Sequence, residues 1–112
     1  MKTISIVIPM YNEEQSAELF YQTLTATIDT LPYLFEIIFV NDGSSDQTQI
    51  KLANLAQNDA RIQILELSRN FGHQAALCAG MESATGDLIL TMDGDGQHPA
   101  GLIPEMIRLC EN

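Results

Sequence analysis

Two carboxylates, Asp93 and Asp95, stand two residues apart in this chain, with Gly94 between them and Gly96, Gln97, His98 and Pro99 after them. They close a short apolar run of Leu88, Ile89, Leu90 and Met92. Such a run reads as a strand buried on both faces of a parallel sheet. Extended backbone projects alternate residues to one side, so both carboxylates face the same way. Acids this close raise each other's pKa unless a cation or a donor-rich ligand lies between them. Hard divalent ions, Mg²⁺ or Mn²⁺, take oxygen ligands, and Mg²⁺ commonly holds one or two carboxylates together with substrate phosphates. The stretch therefore reads either as a metal–diphosphate site or as a solvated Asp-Gly turn, because Asp and Gly favour turns for their own reasons. Ligands of open α/β sheets bind beyond the carboxyl ends of the strands, which is where this pair falls.

The elements that must position these acids follow from the apolar pattern. Ile4 to Ile8 is a β-branched run ending at Pro9, which predicts a strand that stops there. After Met10-Tyr11-Asn12-Glu13-Glu14, residues Ala17, Phe20, Leu24, Ile28 and Leu31 mark one face of a helix closed by Pro32. Asn12 reads either as the cap of that helix, with Glu13 and Glu14 at its positive end, or as part of a site. Tyr11 fits a surface on which a planar base stacks. Phe35 to Val40 predicts a second strand, running into Asn41-Asp42-Gly43-Ser44-Ser45-Asp46. Asp46 or Ser45 caps the next helix, with Ile50, Ala53 and Leu55 towards the core. Asp42 sits too early to cap and reads as a ligand contact.

Ile62 to Leu67 predicts the third strand, followed by a polar loop from Ser68 to Gln74 that carries Arg69 and His73. His73 is either an ordinary polar residue or a chemical one. A small-residue helix over Ala75–Ala84 can pack close to a sheet, and Gly86 breaks it before the fourth strand. Leu102, Ile103, Met106, Ile107 and Cys110 mark a last helix. The order is β-α-β-α-β-α-β-α, with connections suited to right-handed parallel crossovers. Acidic turns then follow the first, second and fourth strands along one sheet edge, as an acidic, metal-dependent site for a nucleotide or phosphorylated ligand would require.

Composition narrows the classes. The chain has 112 residues, 46% of them hydrophobic, which is enough for the core of one small domain or part of a larger one. A formal charge of −10, from 15 acidic and 5 basic side chains, disfavours nucleic acid and anionic lipid as direct partners. It also makes an anionic ligand hard to hold without a cation. No window is apolar enough for a membrane span, and the opening Met1-Lys2-Thr3 leads into a strand rather than a signal peptide. Cys78 and Cys110 lack metal-site spacing, and buried thiols in a reducing compartment are the expectation.

Four segments, in order, resemble glycosyltransferase family 2: Ile6–Glu14, Val40–Asp46, Ser68–Leu77 and Met92–Pro99. The resemblance covers the whole chain and is strongest to the polyprenyl-phosphate sugar transferase branch. It implies a Rossmann-like parallel sheet with flanking helices, the N-terminal half of a nucleotide-diphospho-sugar transferase fold, over residues 1–112. It implies that Pro9, Tyr11, Asn12 and Glu13 line the base and ribose pocket, that Asp42 binds the base, and that Arg69 to Gln74 border the sugar nucleotide. Asp93, with Gly94, would reach the ribose side, and Asp95 with Gln97 would hold a divalent cation on the diphosphate. The implied partners are a nucleoside-diphosphate sugar and a lipid-phosphate acceptor, with the protein cytoplasmic or at the cytoplasmic face of the membrane. The branch has Ala and Leu where this chain has Gly94 and Gly96, which loosens the turn. Family members continue into an acceptor-binding half that carries the general base, so the isolated chain is expected to bind nucleotide without turnover.

Two other classes group acids at strand ends. A haloacid-dehalogenase-type phosphatase places its Asp-x-Asp pair on the first strand, followed by Gly-Thr, whereas here it is on the fourth, followed by Gly-Gln. A receiver-type signalling domain wants a Lys at a later strand end, and no Lys lies beyond Lys51. A nucleotide-binding fragment without catalysis fits every feature above.

Overall fold

The computed structural model describes residues 2–93 and 103–111. Its elements run β1 (Thr3–Met10), α1 (Ala17–Ile28), β2 (Leu34–Asn41), α2 (Thr48–Asn58), β3 (Ile62–Glu66), α3 (His73–Ser83), β4 (Leu88–Thr91) and α4 (Ile103–Glu111). The four strands form one parallel sheet in the order β3-β2-β1-β4. The chain steps outward from β1 to β3, then returns over the sheet to lay β4 on the other side of β1.

That reversal divides the helices between two faces. Ile4, Ile6, Ile8 and Met10 of β1 pack with Phe20, Leu24 and Ile28 of α1, Leu52 of α2 and Ile103 and Ile107 of α4. Val7, Ile38 and Val40 face the other way and meet Ala76 of α3. This second layer is thin, so α3 has to approach closely. A Cβ on Gly80 would lie 2.3 Å from Cγ1 of Val7, which explains the small residues read in this helix.

Several sequence expectations change in detail. β1 does not stop at Pro9. The ladder to β4 ends at Val7–Thr91, so the N–H that proline lacks falls beyond it, and Met10 still accepts from the Asp42 N–H at 2.8 Å. α1 ends at Ile28, ahead of Pro32, and Leu31 packs on the core from outside the helix. Ile50 is 56% exposed and Leu52 is the residue of α2 buried at the centre. Ile89 on β4 is 39% exposed rather than buried on both faces, because β4 is an edge strand and α3 covers β1 and β2. Cys78 is exposed, not buried: α3 turns Ala76 and Gly80 to the sheet, and Cys78 lies midway between them on the opposite side. Among the described residues, no helix is long and apolar enough to cross a membrane.

At the amino ends of the strands, polar groups fix the sheet. Ser5 Oγ donates to Glu36 at 2.7 Å and accepts from the Gly86 N–H at 2.9 Å. Thr85 donates to the same carboxylate from its N–H and its hydroxyl. Burial would raise the Glu36 carboxyl, but these donors outweigh it and hold it below its ordinary value.

Candidate functional site

A sheet whose strand order reverses opens a crevice at the carboxyl ends of the strands on either side of the reversal. Here those strands are β1 and β4, and a cleft of about 450 Å³ lies at that point. Pro9 and Met10, ending β1, and the following Tyr11 and Glu13 form one wall. Asp42, just beyond β2, lies within, and Asn70, Gly72 and His73 come from the turn into α3. Asp93, two residues past β4, completes the lining. Acids from the three predicted turns, Glu13, Asp42 and Asp93, therefore share one hollow.

The turns are tied to one another. Asn12 does not cap α1; it has a left-handed φ of 53°, and its Oδ1 accepts from the Ser45 N–H at 2.8 Å while its own N–H donates to Ser44 Oγ. That conformation, which Asn tolerates better than most residues, aims the side chain at the neighbouring turn. Glu13 N–H donates to Thr48 Oγ1. Neither Ser45 nor Asp46 is the N-cap of α2: that position is Gln47, which makes no side-chain cap, and Asp46, one residue earlier, accepts from the Thr48 N–H at 2.9 Å and from the Glu14 N–H. Burial would raise the Asp46 carboxyl, and these donors more than offset that, holding it below its ordinary value.

Asp42 is 3% exposed. Its carboxylate accepts from the Phe71 N–H at 2.9 Å, the Gly72 N–H at 3.1 Å and Asn70 Nδ2 at 3.1 Å. Tyr11, by contrast, is 47% exposed at the rim, presenting a ring to anything in the cleft. His73 Nε2 faces Asp93 Oδ1 at 3.6 Å, beyond a direct hydrogen bond. Arg69 does not line the cleft; its guanidinium stacks on Phe71, 4.2 Å from the ring centre. Gln74 is exposed on the first turn of α3 and is also outside the lining, as is Asn12. The roles expected for Gly94, Asp95 and Gln97 lie outside the described residues. No group of three or more His, Cys, Asp or Glu among the described residues is placed to hold a metal ion. Met10 is a cleft residue that sequence reading left unassigned, and Asn70, Gly72 and His73 are the members of the Arg69–Gln74 loop that line the cleft. The signal for Asn70 and Gly72 was present in the polar loop, but which of its residues turn inward depends on tertiary packing.

A parallel α/β sheet with an acid-lined cleft at its reversal point is a ligand-binding architecture shared by many enzyme domains. The sequence profile of glycosyl transferase family 2 matches residues 5–112, and the chain belongs to that family of enzymes. The bactoprenol glucosyl transferase of Shigella phage SfX is 41% identical over 93% of this chain and 34% of its own length. Staphylococcus aureus TarS 1-349 superposes with a TM-score of 0.73 at 22% identity, over 99% of this chain and 32% of that one. Its crystal structure in complex with UDP-GlcNAc gives 0.67 at 25% identity over 85% and 27%. The mannosyltransferase PcManGT of Pyrobaculum calidifontis, in complex with GDP-Man and Mn²⁺, gives 0.69 at 25% identity over 88% and 29%. The chain spans about a third of the length of the curated relatives it matches.

Proposed function

We propose that this chain is the donor-binding part of a divalent-cation-dependent, inverting glycosyltransferase that moves a sugar from a nucleoside diphosphate to a lipid phosphate of the polyprenyl class. The observation that carries this reading is the meeting of Pro9, Tyr11, Glu13, Asp42 and Asp93 in one cleft at the sheet's reversal point. The nucleotide complexes of the solved relatives and the bactoprenol substrate in a curated relative's name support the choice of donor and acceptor.

In this reading the base stacks on Tyr11 and the ribose lies between Glu13 and Asp93. A carboxylate has about four acceptor positions. With three protein donors already on Asp42, it has room for a single N–H of the base. The acceptor oxygen attacks the anomeric carbon from the face opposite the diphosphate. A new carbon–oxygen bond forms as the bond to the diphosphate oxygen breaks, and the electron pair leaves with the nucleoside diphosphate. A chain of net charge −10 gains little by binding that anion alone. The cation, held by Asp95 and Gln97, would neutralise the leaving charge when bound. The protein would act at the cytoplasmic face of the membrane.

A thermal-shift series with UDP, GDP and their sugars, with and without Mn²⁺, tests this. The expected result is stabilisation by one nucleotide that requires Mn²⁺ and is lost in Tyr11→Ala, with no sugar transfer by the 112-residue chain alone. Stabilisation by no nucleotide, or one indifferent to Tyr11, would contradict the assignment.

A further inference from the structure

The turn between β3 and α3 is built from exposed residues, Ser68 through Phe71, that contribute little apolar packing to hold it. Such a segment is expected to open easily unless something else fixes it. We propose that Asp42 is a positioning residue whose carboxylate latches this turn and thereby holds His73 beside Asp93 in the cleft lining. This deepens the donor-site reading and depends on it for the consequence on ligand binding.

Three features of the latch reinforce one another. First, Asp42 is almost wholly buried and takes hydrogen bonds from two consecutive backbone N–H groups and from Asn70 Nδ2. Hydrogen bonds to an ionised acceptor are about twice as strong as neutral ones. Second, the neighbouring backbones touch: a Cβ on Gly43 would lie 2.2 Å from the Arg69 carbonyl carbon and 2.3 Å from the Asn70 nitrogen. No side chain fits between the two turns. Third, Gly72 gives its N–H to Asp42 and then, at φ +106°, redirects the chain into α3, whose first residue is His73. The direction of His73, and its 3.6 Å approach to Asp93, follow from where Asp42 fixes Gly72.

Amide exchange and histidine ring resonances, read by NMR on the chain and on Asp42→Asn and Gly43→Ala, test the latch without ligand. Asp42→Asn turns an acceptor into a donor facing donors. Gly43→Ala keeps every polar group of the latch but forces the turns apart. Both variants should raise exchange at Phe71 and Gly72 by roughly tenfold or more, the scale of a lost charged hydrogen bond, while Val7 in β1 is unchanged. In the wild-type background Asp93→Asn should shift the His73 ring resonances, and in either variant background that response should vanish. UDP titrated with Mn²⁺ should bind at least about fivefold more weakly to both variants. Unchanged exchange at Phe71 and Gly72 in Asp42→Asn, a surviving His73 response, or full nucleotide affinity in Gly43→Ala would overturn the latch. Should Gly43→Ala fail to fold, Asp42→Asn alone decides the exchange and His73 outcomes. A wild-type chain that binds no nucleotide while those two outcomes hold would defeat the donor-site reading and leave the latch standing.

Discussion

Single carboxylates do different work in this molecule according to the donors around them. Asp42 and Asp46 organise turns at the cleft, whereas Asp59 secures the far side of the domain. Asp59 accepts from Arg61 Nε at 2.9 Å and Nη2 at 2.8 Å and from the Tyr21 hydroxyl at 2.6 Å. Chiefly through Arg61, its carboxyl is held down to about 2, against an ordinary 3.8. The folded state thus binds this proton less readily than the unfolded chain. The resulting stability is fully present above pH ~4 and is lost as pH falls through about 2. At 1.36 kcal/mol per pKa unit, the contribution is on the order of 2 kcal/mol. Urea unfolding of wild type and Asp59→Asn, followed from pH 6 to pH 2, should show wild type losing about 2 kcal/mol more than the variant. Parallel curves for the two proteins would remove Asp59 from the acid response.

Elements were more legible than the contacts between them. The period of Ala17, Phe20, Leu24 and Ile28 fixed α1 because burial on one side of a helix leaves a repeating trace, and all four are buried. The same reasoning chose Ile50 in α2, where the buried apolar residue is Leu52. α2 spans just 11 residues with several apolar positions, so more than one face fits the pattern. Asn12 reads as a cap as readily as a site residue because caps are local; its partner Ser45 is 33 residues away. Sequence spacing contains no record of such a contact. The small-residue stripe of α3, in contrast, predicted close packing, and the contact of Gly80 with Val7 supplies its cause. Gly80→Ala should therefore cost about 1–3 kcal/mol, the range for overpacking a core, despite alanine's better helix propensity. A urea midpoint unchanged or raised in Gly80→Ala would mean that α3 can shift outward at no cost.

For the molecule as a whole, the decisive feature is the return of the chain to place β4 beside β1. Without it, Asp93 would not share a cleft with Tyr11 and Glu13. The sequence disclosed that the acidic turns share a sheet edge; the strand order β3-β2-β1-β4 determines which of them face one another. A nucleoside diphosphate is expected to bind in that hollow and nowhere else. A second groove, between α1 and α2 and lined by Glu18, Ile50, Lys51 and Asn58, offers a competing location. Chemical-shift mapping of UDP and GDP titrated onto the isotope-labelled chain with diamagnetic Mg²⁺ separates the two. Perturbations concentrated at Tyr11, Glu13, Asp42 and Asp93 are the predicted result; perturbations concentrated at Glu18, Lys51 and Asn58, with the cleft residues unmoved, would contradict it.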